Sequence, residues 1–413
     1  MRSQKAWVFI LGTGLLLTLV ITPSGHTAIS SRWNYNEHLF PIFLDQCGSC
    51  HNDGGVAPMS LLTYQDAFPW TQSIREEILG LRMPPWQAED GFGRFQNGHA
   101  LSAVQMDMIL EWSSGGYPQG PRDQVPPVTE IINEWRLGDP SITLEMPEAF
   151  TIDAGTSSTI RYFVLPVETT ENQFIRAIDF HPGARSVVRS ASVFIDSSGS
   201  AQLLDEADPG QGFGENQDYA FPTAPPVAVW VPGQAPIVTE DMGFTLPSDA
   251  TIVLRVQYRK TWITEGQEFS DQSSLGLYFT DRGDVAEINS LLVNSPATVS
   301  GREITFTHEV DADIRLLGLL PEVDIDSSEI QVQAVKPDGT RVPMLWLREP
   351  DSGWVTRFWF ASPIDLAAGS QLEFTAILKP AAEHTPSASL LGSDLTYPIR
   401  VSIDYVSGTR TGN

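Results

Sequence analysis

Ile252-Val253-Leu254-Arg255-Val256-Gln257-Tyr258-Arg259 decides the fold of most of this chain. Ile252, Leu254, Val256 and Tyr258 alternate with Val253, Arg255, Gln257 and Arg259, which is the two-residue period of a strand with one buried face. The alternation returns at Ile399, Val401, Ile403 and Tyr405 against Arg400, Ser402 and Asp404. Between these stretches, Pro337-Asp338-Gly339 separates Ile330–Val335 from Val342–Leu347 and marks a hairpin turn. Short strands recur to the C-terminus without a long helical stretch, so the C-terminal two-thirds reads as β-sandwich. About 290 residues exceed one such unit, and a break near Asn289–Ser300 divides them into two sandwiches.

Upstream the period becomes helical. Asn34 or Asn36 is a candidate cap for a short helix, and Pro69 suits the first turn of another with Ile74, Ile78 and Leu81 on one face. Ser102-Ala103-Val104-Gln105 has capping-box form, with Val104, Met108, Ile109 and Trp112 as an apolar stripe that Gly115-Gly116 ends. From Tyr117 to Val128, Pro118, Pro121, Pro126 and Pro127 suggest a stiff linker.

Within the helical stretch lies Cys47-Gly48-Ser49-Cys50-His51, which holds the only two cysteines of the chain. Cys-x-x-Cys-His is the attachment signature of a c-type haem: each thiol forms a thioether to a vinyl group and His51 becomes the proximal iron ligand. A disulfide, a zinc half-site and a thioredoxin-like pair are the competing readings. No second Cys/His cluster completes a metal site, and no strand-then-helix context frames a redox pair. Met83, in Arg82-Met83-Pro84-Pro85-Trp86, is the leading candidate for the sixth ligand, because consecutive prolines hold an extended chain that can press a side chain against the haem face. Met59, His99 and an open site are the alternatives.

Arg2 and Lys5 precede an apolar run from Ala6 to Ile21 and small residues ending at Ala28, which reads as a secretory signal. The run is short for a membrane span. A periplasmic or secreted location follows, with no integral span after cleavage; an uncleaved tether is the alternative. The formal charge of −26, with only 18% charged residues, reflects a scarcity of Lys and Arg and argues against nucleic acid as a partner. Such a surface is either simply solvated or steers encounter with a basic redox partner.

Residues from Cys47 to about Gly120 resemble a cytochrome c-like domain fused to copper monooxygenase-like domains in bacterial proteins. The resemblance rests on the haem motif, Gly54-Gly55-Val56-Ala57-Pro58-Met59, Met83-Pro84-Pro85-Trp86 and the closing helix with Trp112. From about Trp135 the chain resembles the copper type II, ascorbate-dependent monooxygenases, the family of peptidylglycine α-hydroxylating and dopamine β-monooxygenases. Trp135-Arg136-Leu137-Gly138-Asp139-Pro140, Arg176-Ala177-Ile178 followed by Pro182-Gly183, and Trp230-Val231-Pro232-Gly233 carry that likeness. It implies two jelly-roll-like sandwiches, each with one copper, facing each other across a solvent-filled cleft.

The same resemblance puts Arg189 and Ser190 where the family has a His-His pair, Gln257-Tyr258-Arg259 where it has His-x-His, and Asp313-Ile314-Arg315 where it has His-Met-His. An arginine cannot ligate, and cations repel Cu²⁺, so copper is not expected. His181, His308 and His384 are scattered and read as structural or surface residues. Asp313 and Arg315 share a strand face and are expected to pair.

The expected fold class is therefore multidomain: a small all-α cytochrome c domain followed by two all-β jelly-roll-like sandwiches. The expected boundaries are a signal at 1–28, the haem domain at 29–124, and sandwiches at 125–290 and 291–413. The expected function is an exported mono-haem electron carrier, with one covalent haem c on Cys47 and Cys50 and iron held by His51 and Met83. Its copper-free sandwiches would serve for docking or assembly. The alternatives are a copper-dependent monooxygenase fed by its haem domain and a subunit of a larger extracytoplasmic respiratory complex.

Overall fold

The computed structural model describes residues 30–96, 98, 100–127, 134–214, 221, 224–280, 283–297, 301–323, 327–350, 353–379 and 398–408. The expected signal at 1–28, together with His99 and His384, lies outside the described residues. Among those described, 39% are in strands and 15% are helical.

The N-terminal segment begins where the Asn34 side chain accepts from the Glu37 amide and opens a turn at Tyr35–Leu39 that runs into α1 (Phe40–Gln46). Three further short helices follow: α2 (Tyr64–Ala67), α3 (Thr71–Leu79) and α4 (Ala103–Ser114). α4 starts at the expected capping box, Gln105 N donating to Ser102 Oγ at 3.2 Å and Ser102 N to Gln105 Oε1 at 2.9 Å. Leu39, Phe43, Ile74, Ile78, Ile109 and Trp112 bury together. Val104 and Leu81, both expected on apolar stripes, are 63% and 59% exposed. α4 buries only the narrow face carrying Ile109 and Trp112, and at Leu81 the backbone has already turned left-handed, with φ of 54°.

The expectation of a small all-α domain ahead of two sandwiches is overturned, because the helices do not form a distinct unit. Residues 84–96 leave them and join the C-terminal half of the chain. There Ala88 bridges Leu347, Phe95 bridges Phe360, and Trp86 and Phe95 pack into the core around Phe358. Helices this short depend on tertiary partners, and two large aromatics find theirs in a sheet. Nor do the prolines after α4 form a free linker. Tyr35 and Asn36 donate their amides to Pro118 O and Gln119 O at 2.9 Å, and Trp112 Nε1 donates to Pro118 O at 3.1 Å.

The first β-sandwich contains β1 (Ile142–Glu145), β2 (Phe150–Ile152), β3 (Ser158–Pro166), β4 (Gln173–His181), β5 (Val188–Asp196), a covering helix α5 (Ser200–Ala207), β6 (Ala228–Trp230), β7 (Met242–Leu246), β8 (Thr251–Arg259), β9 (Phe269–Asp271), β10 (Ser274–Phe279) and β11 (Ala286–Glu287). Its sheets run β1-β10-β4-β7-β11 and β3-β8-β5-β6, with β2-β9 as a separate pair. The second contains β12 (Asn289–Asn294), β13 (Glu303–Glu309), β14 (Ile314–Val323), β15 (Ser327–Val335), β16 (Arg341–Arg348), β17 (Phe358–Leu366), β18 (Gln371–Leu378) and β19 (Ile399–Ser407). Here the orders are β12-β19-β14-β17 and β13-β18-β15-β16. With the β2-β9 pair and the edge strand β11 set aside, both share one arrangement: the opening strand pairs with a late one, β1 with β10 and β12 with β19, and neighbours alternate between early and late strands, as in a jelly roll. The hairpin at Pro337-Asp338-Gly339 joins β15 to β16, with Gly339 at φ of 84° and Thr340 N donating to Asp338 Oδ1 at 2.9 Å.

The one-face expectation fails at both strands that carried it. In β8, Ile252, Leu254, Val256 and Tyr258 face the sandwich core as expected. Val253 is buried too, beneath Ala201 and Leu204 of α5, and Arg255 is 1% exposed with Nε donating to Tyr162 Oη at 3.2 Å. In β19, Arg400, Ser402 and Asp404 are buried as well, Asp404 where the sandwiches meet. Arg357 donates Nη1 to Val227 O at 2.7 Å, across that junction, and pairs through Nε with Asp404 Oδ2 at 3.3 Å. Burial pushes the Asp404 carboxyl up and the Arg357 guanidinium down, each partly offset by the other's charge.

Candidate functional site

The haem motif sits on the turn that ends α1. Cys47 N donates to Phe43 O at 3.0 Å and His51 N to Cys47 O at 2.8 Å, so helical bonding carries from α1 to the histidine. Glycine is required at position 48, because a Cβ there would lie 2.6 Å from Leu44 O. Cys47 and Cys50 are both free, half-buried thiols. Burial, then the charges of Cys50 and Asp45, pushes the Cys47 thiol up to about 12. Burial also raises Cys50, offset in part by Ser49 and Arg189. A thioredoxin-like nucleophile needs a depressed thiol instead.

After His51 the chain doubles back, Ala57 N donating to Cys50 O at 3.2 Å and Leu61 N to His51 O at 3.0 Å. This return puts the Met59 carbonyl 3.1 Å from His51 Nδ1. A carbonyl only accepts, so Nδ1 carries the proton and Nε2 keeps its lone pair for a metal. Burial holds the imidazole below its usual range despite the Met59 bond, which keeps it neutral near pH 7. Sequence reading weighed Met59 only as a thioether ligand and missed the role of its backbone; the eight-residue spacing was the available signal.

Met83 stands beyond α3 with its side chain 42% exposed. Six of the ten large apolar side chains left exposed among the described residues lie between Phe68 and Tyr117, Leu79, Leu81 and Met83 among them.

The first sandwich closes over this loop. Cys50 Sγ lies 3.5 Å from Pro232 O, and a Cβ on Gly233 would strike the Ser49 side chain. Arg185 Nη2 donates to Asn52 Oδ1 at 3.3 Å, while Arg189 donates through Nη1 to Val56 O at 3.0 Å and through Nε to Arg259 O at 3.3 Å. Ser190 Oγ donates to Gln257 Oε1 at 3.0 Å, and Tyr258 Oη to Asp271 Oδ2 at 2.7 Å. Of the positions compared above with copper ligands, Ser190 and Gln257 are thus bonded to each other, and Arg189 is bonded to Arg259 O and to the loop after the Cys47–His51 motif.

The Asp313–Arg315 pair does not form. Arg315 Nε meets Asp365 Oδ1 across the sheet at 3.0 Å, and Asp313 Oδ1 accepts from Ala368 N at 2.9 Å. His181 is stacked on Trp135 at 3.6 Å between centroids, 3.7 Å from Asp179 Oδ2. Among the described residues, no three or more His, Cys, Asp or Glu side chains gather into a group able to hold a metal ion. A cavity of about 60 Å³ lined by Asp179, Trp230, Gln234, Arg357 and Trp359 lies at the junction of the sandwiches, with room for a few waters. No described helix is long and apolar enough to cross a membrane.

No protein-family model matches the sequence, and no curated protein matches it. Among solved structures, PNGF-II is similar over 64% of this chain at 12% identity and a TM-score of 0.31, and the chain spans 65% of that protein's length. The major capsid protein P2 of bacteriophage PM2 is similar over 66% of this chain and 99% of its own, at 9% identity and a TM-score of 0.23. A two-domain protein of unknown function from Bacteroides fragilis is similar over 59% and 84%, at 9% identity and a TM-score of 0.17. Likenesses this weak bear on neither the chemistry nor the ancestry of the chain.

Proposed function

We propose that the protein is an exported mono-haem c-type electron carrier whose two sandwiches serve as a docking or assembly module for a redox partner. The observation that carries this reading is the His51 Nδ1 to Met59 O contact beside Cys47 and Cys50, which orients a neutral imidazole next to two protonated thiols. Cys47 and Cys50 would hold the haem covalently, His51 and Met83 would hold its iron, and the bound group would supply one-electron redox chemistry. What this chain adds is the tautomer of His51, the apolar side chains the porphyrin would cover, and a sandwich surface that shields the Cys50 edge from water.

The resemblance to copper type II monooxygenases belongs to the same proposal, with Arg189, Ser190 and Gln257 in place of ligands. The hydrogen bond between Ser190 and Gln257 and the fixed cation of Arg189 favour a region without copper. The test is iron and copper per protein on material exported with haem maturation, compared with Cys50→Ser. About one covalent haem and one iron, no retained copper and a large fall in covalent haem on Cys50→Ser are expected. Absence of covalent haem would overturn the carrier, and one or two tightly held coppers would overturn the docking role.

A further inference from the structure

We infer that Arg189 is the positioning residue by which the first sandwich fixes the haem loop and raises the haem's reduction potential. The inference rests on the proposed haem reading. Arg189 extends from β5, is half-buried, and reaches the loop that follows the haem motif, where Nη1 binds Val56 O at 3.0 Å. The loop it grips is the one that returns to His51: Val56 is 5% exposed, and Ala57 N is bonded to Cys50 O. The guanidinium is also near enough to Cys50 to act electrostatically on its sulfur.

Arg189 does not stand alone. Arg185 binds Asn52, whose Nδ2 in turn donates to Gly48 O at 2.7 Å and Ser49 O at 3.1 Å inside the motif, and Arg259 adjoins Arg189 through its carbonyl. In a chain with 25 basic against 51 acidic residues, two arginines, Arg185 and Arg189, meet this one short loop.

The consequence follows from Coulomb's law. An iron centre gains one positive charge on oxidation, so a fixed neighbouring cation penalises the oxidised state and raises the potential. Burial and then the charge of Arg259 lower the pKa of the Arg189 guanidinium, but an arginine starts so far above neutrality that it stays charged near pH 7.

The experiment is a spectroelectrochemical titration of the full-length haem-loaded protein, wild type against Arg189→Gln, Arg189→Lys and Arg189→His. At the wild-type midpoint potential, Arg189→Gln should lower the ratio of reduced to oxidised protein about tenfold, or about 59 mV for one electron. Arg189→Lys should keep most of the wild-type value. Arg189→His should acquire a pH-dependent midpoint that the wild type lacks, higher when the imidazole is protonated below about pH 6. It carries the test if Arg189→Gln does not mature. A midpoint unchanged in both neutral forms overturns the inference, as does a fall in Arg189→Lys equal to that in Arg189→Gln. Absence of covalent haem in the wild type, visible in its spectrum before any titration, overturns the underlying reading and this inference with it.

Discussion

In the first sandwich the N-terminal segment is met by polar groups at a surface: Arg185 on Asn52, Arg189 on Val56 O, and the Pro232 carbonyl against Cys50. In the second it is taken into the core. Glu89 N donates to Trp346 O at 2.8 Å, Ala361 N to Arg94 O at 2.7 Å, and Trp86 and Phe95 each place their rings 5.3 Å from that of Phe358. Two sandwiches whose strand orders match apart from β2, β9 and β11 hold one segment by different physics. Apolar burial in a core anchors without tuning, whereas half-buried hydrogen bonds and fixed charge contribute less stability but act on whatever group they face. The attachment that carries fixed charge is the one beside the Cys47–His51 motif.

The comparison breaks most visibly at Phe358, which is 3% exposed and carries both aromatic contacts. Phe358→Ala is expected to cost about 3–5 kcal/mol in urea denaturation, because it opens a cavity under Trp86 and Phe95. Amide exchange should rise over residues 86–96 while the loop at 52–57 stays protected. Equal loss of protection in both places would show that the two attachments are one cooperative unit.

Gly233→Ala attacks the other attachment. Gly233 has φ of 89°, a conformation that penalises a side chain, and an added Cβ would strike Ser49. A loss of about 1–3 kcal/mol is expected, with faster exchange confined to the haem loop. Unchanged exchange at Ala57 would mean that the sandwich does not press on the motif.

Met83→Ala should have the smallest effect on stability, under about 0.5 kcal/mol, since the side chain is 42% exposed. In the haem-loaded protein it should nevertheless change the low-spin spectrum, and an unchanged spectrum would remove Met83 from the iron. Together these variants separate residues that hold the segment in place from residues that would serve the haem.

Much of the candidate site was legible because its chemistry is local. Cys47, Cys50 and His51 lie within five consecutive residues, and no tertiary contact is needed to bring them together. The same holds for the capping box at Ser102 and Gln105, the Asn34 cap and the turn at Asp338-Gly339, all set by neighbours three or fewer residues apart. The core face of β8 was legible too, since alternation reports which side chains share a side.

Alternation does not report what covers the opposite side, and there the tertiary structure decided. α5 buries Val253, and the junction of the sandwiches buries Asp404 beside Arg357. The reach of Arg189 to Val56 across 133 residues and the departure of residues 84–96 into the second sandwich were equally beyond local pattern. The all-α domain failed as an expectation for the same reason. Helical periodicity identifies the helices, but whether they stand alone depends on where Trp86 and Phe95 bury their rings, and those partners lie more than 250 residues away. By itself the sequence determined the local chemistry of the motif and the strand character of the rest. Only the folded chain decided what presses on that motif, because those contacts join residues whose separation leaves no periodic trace.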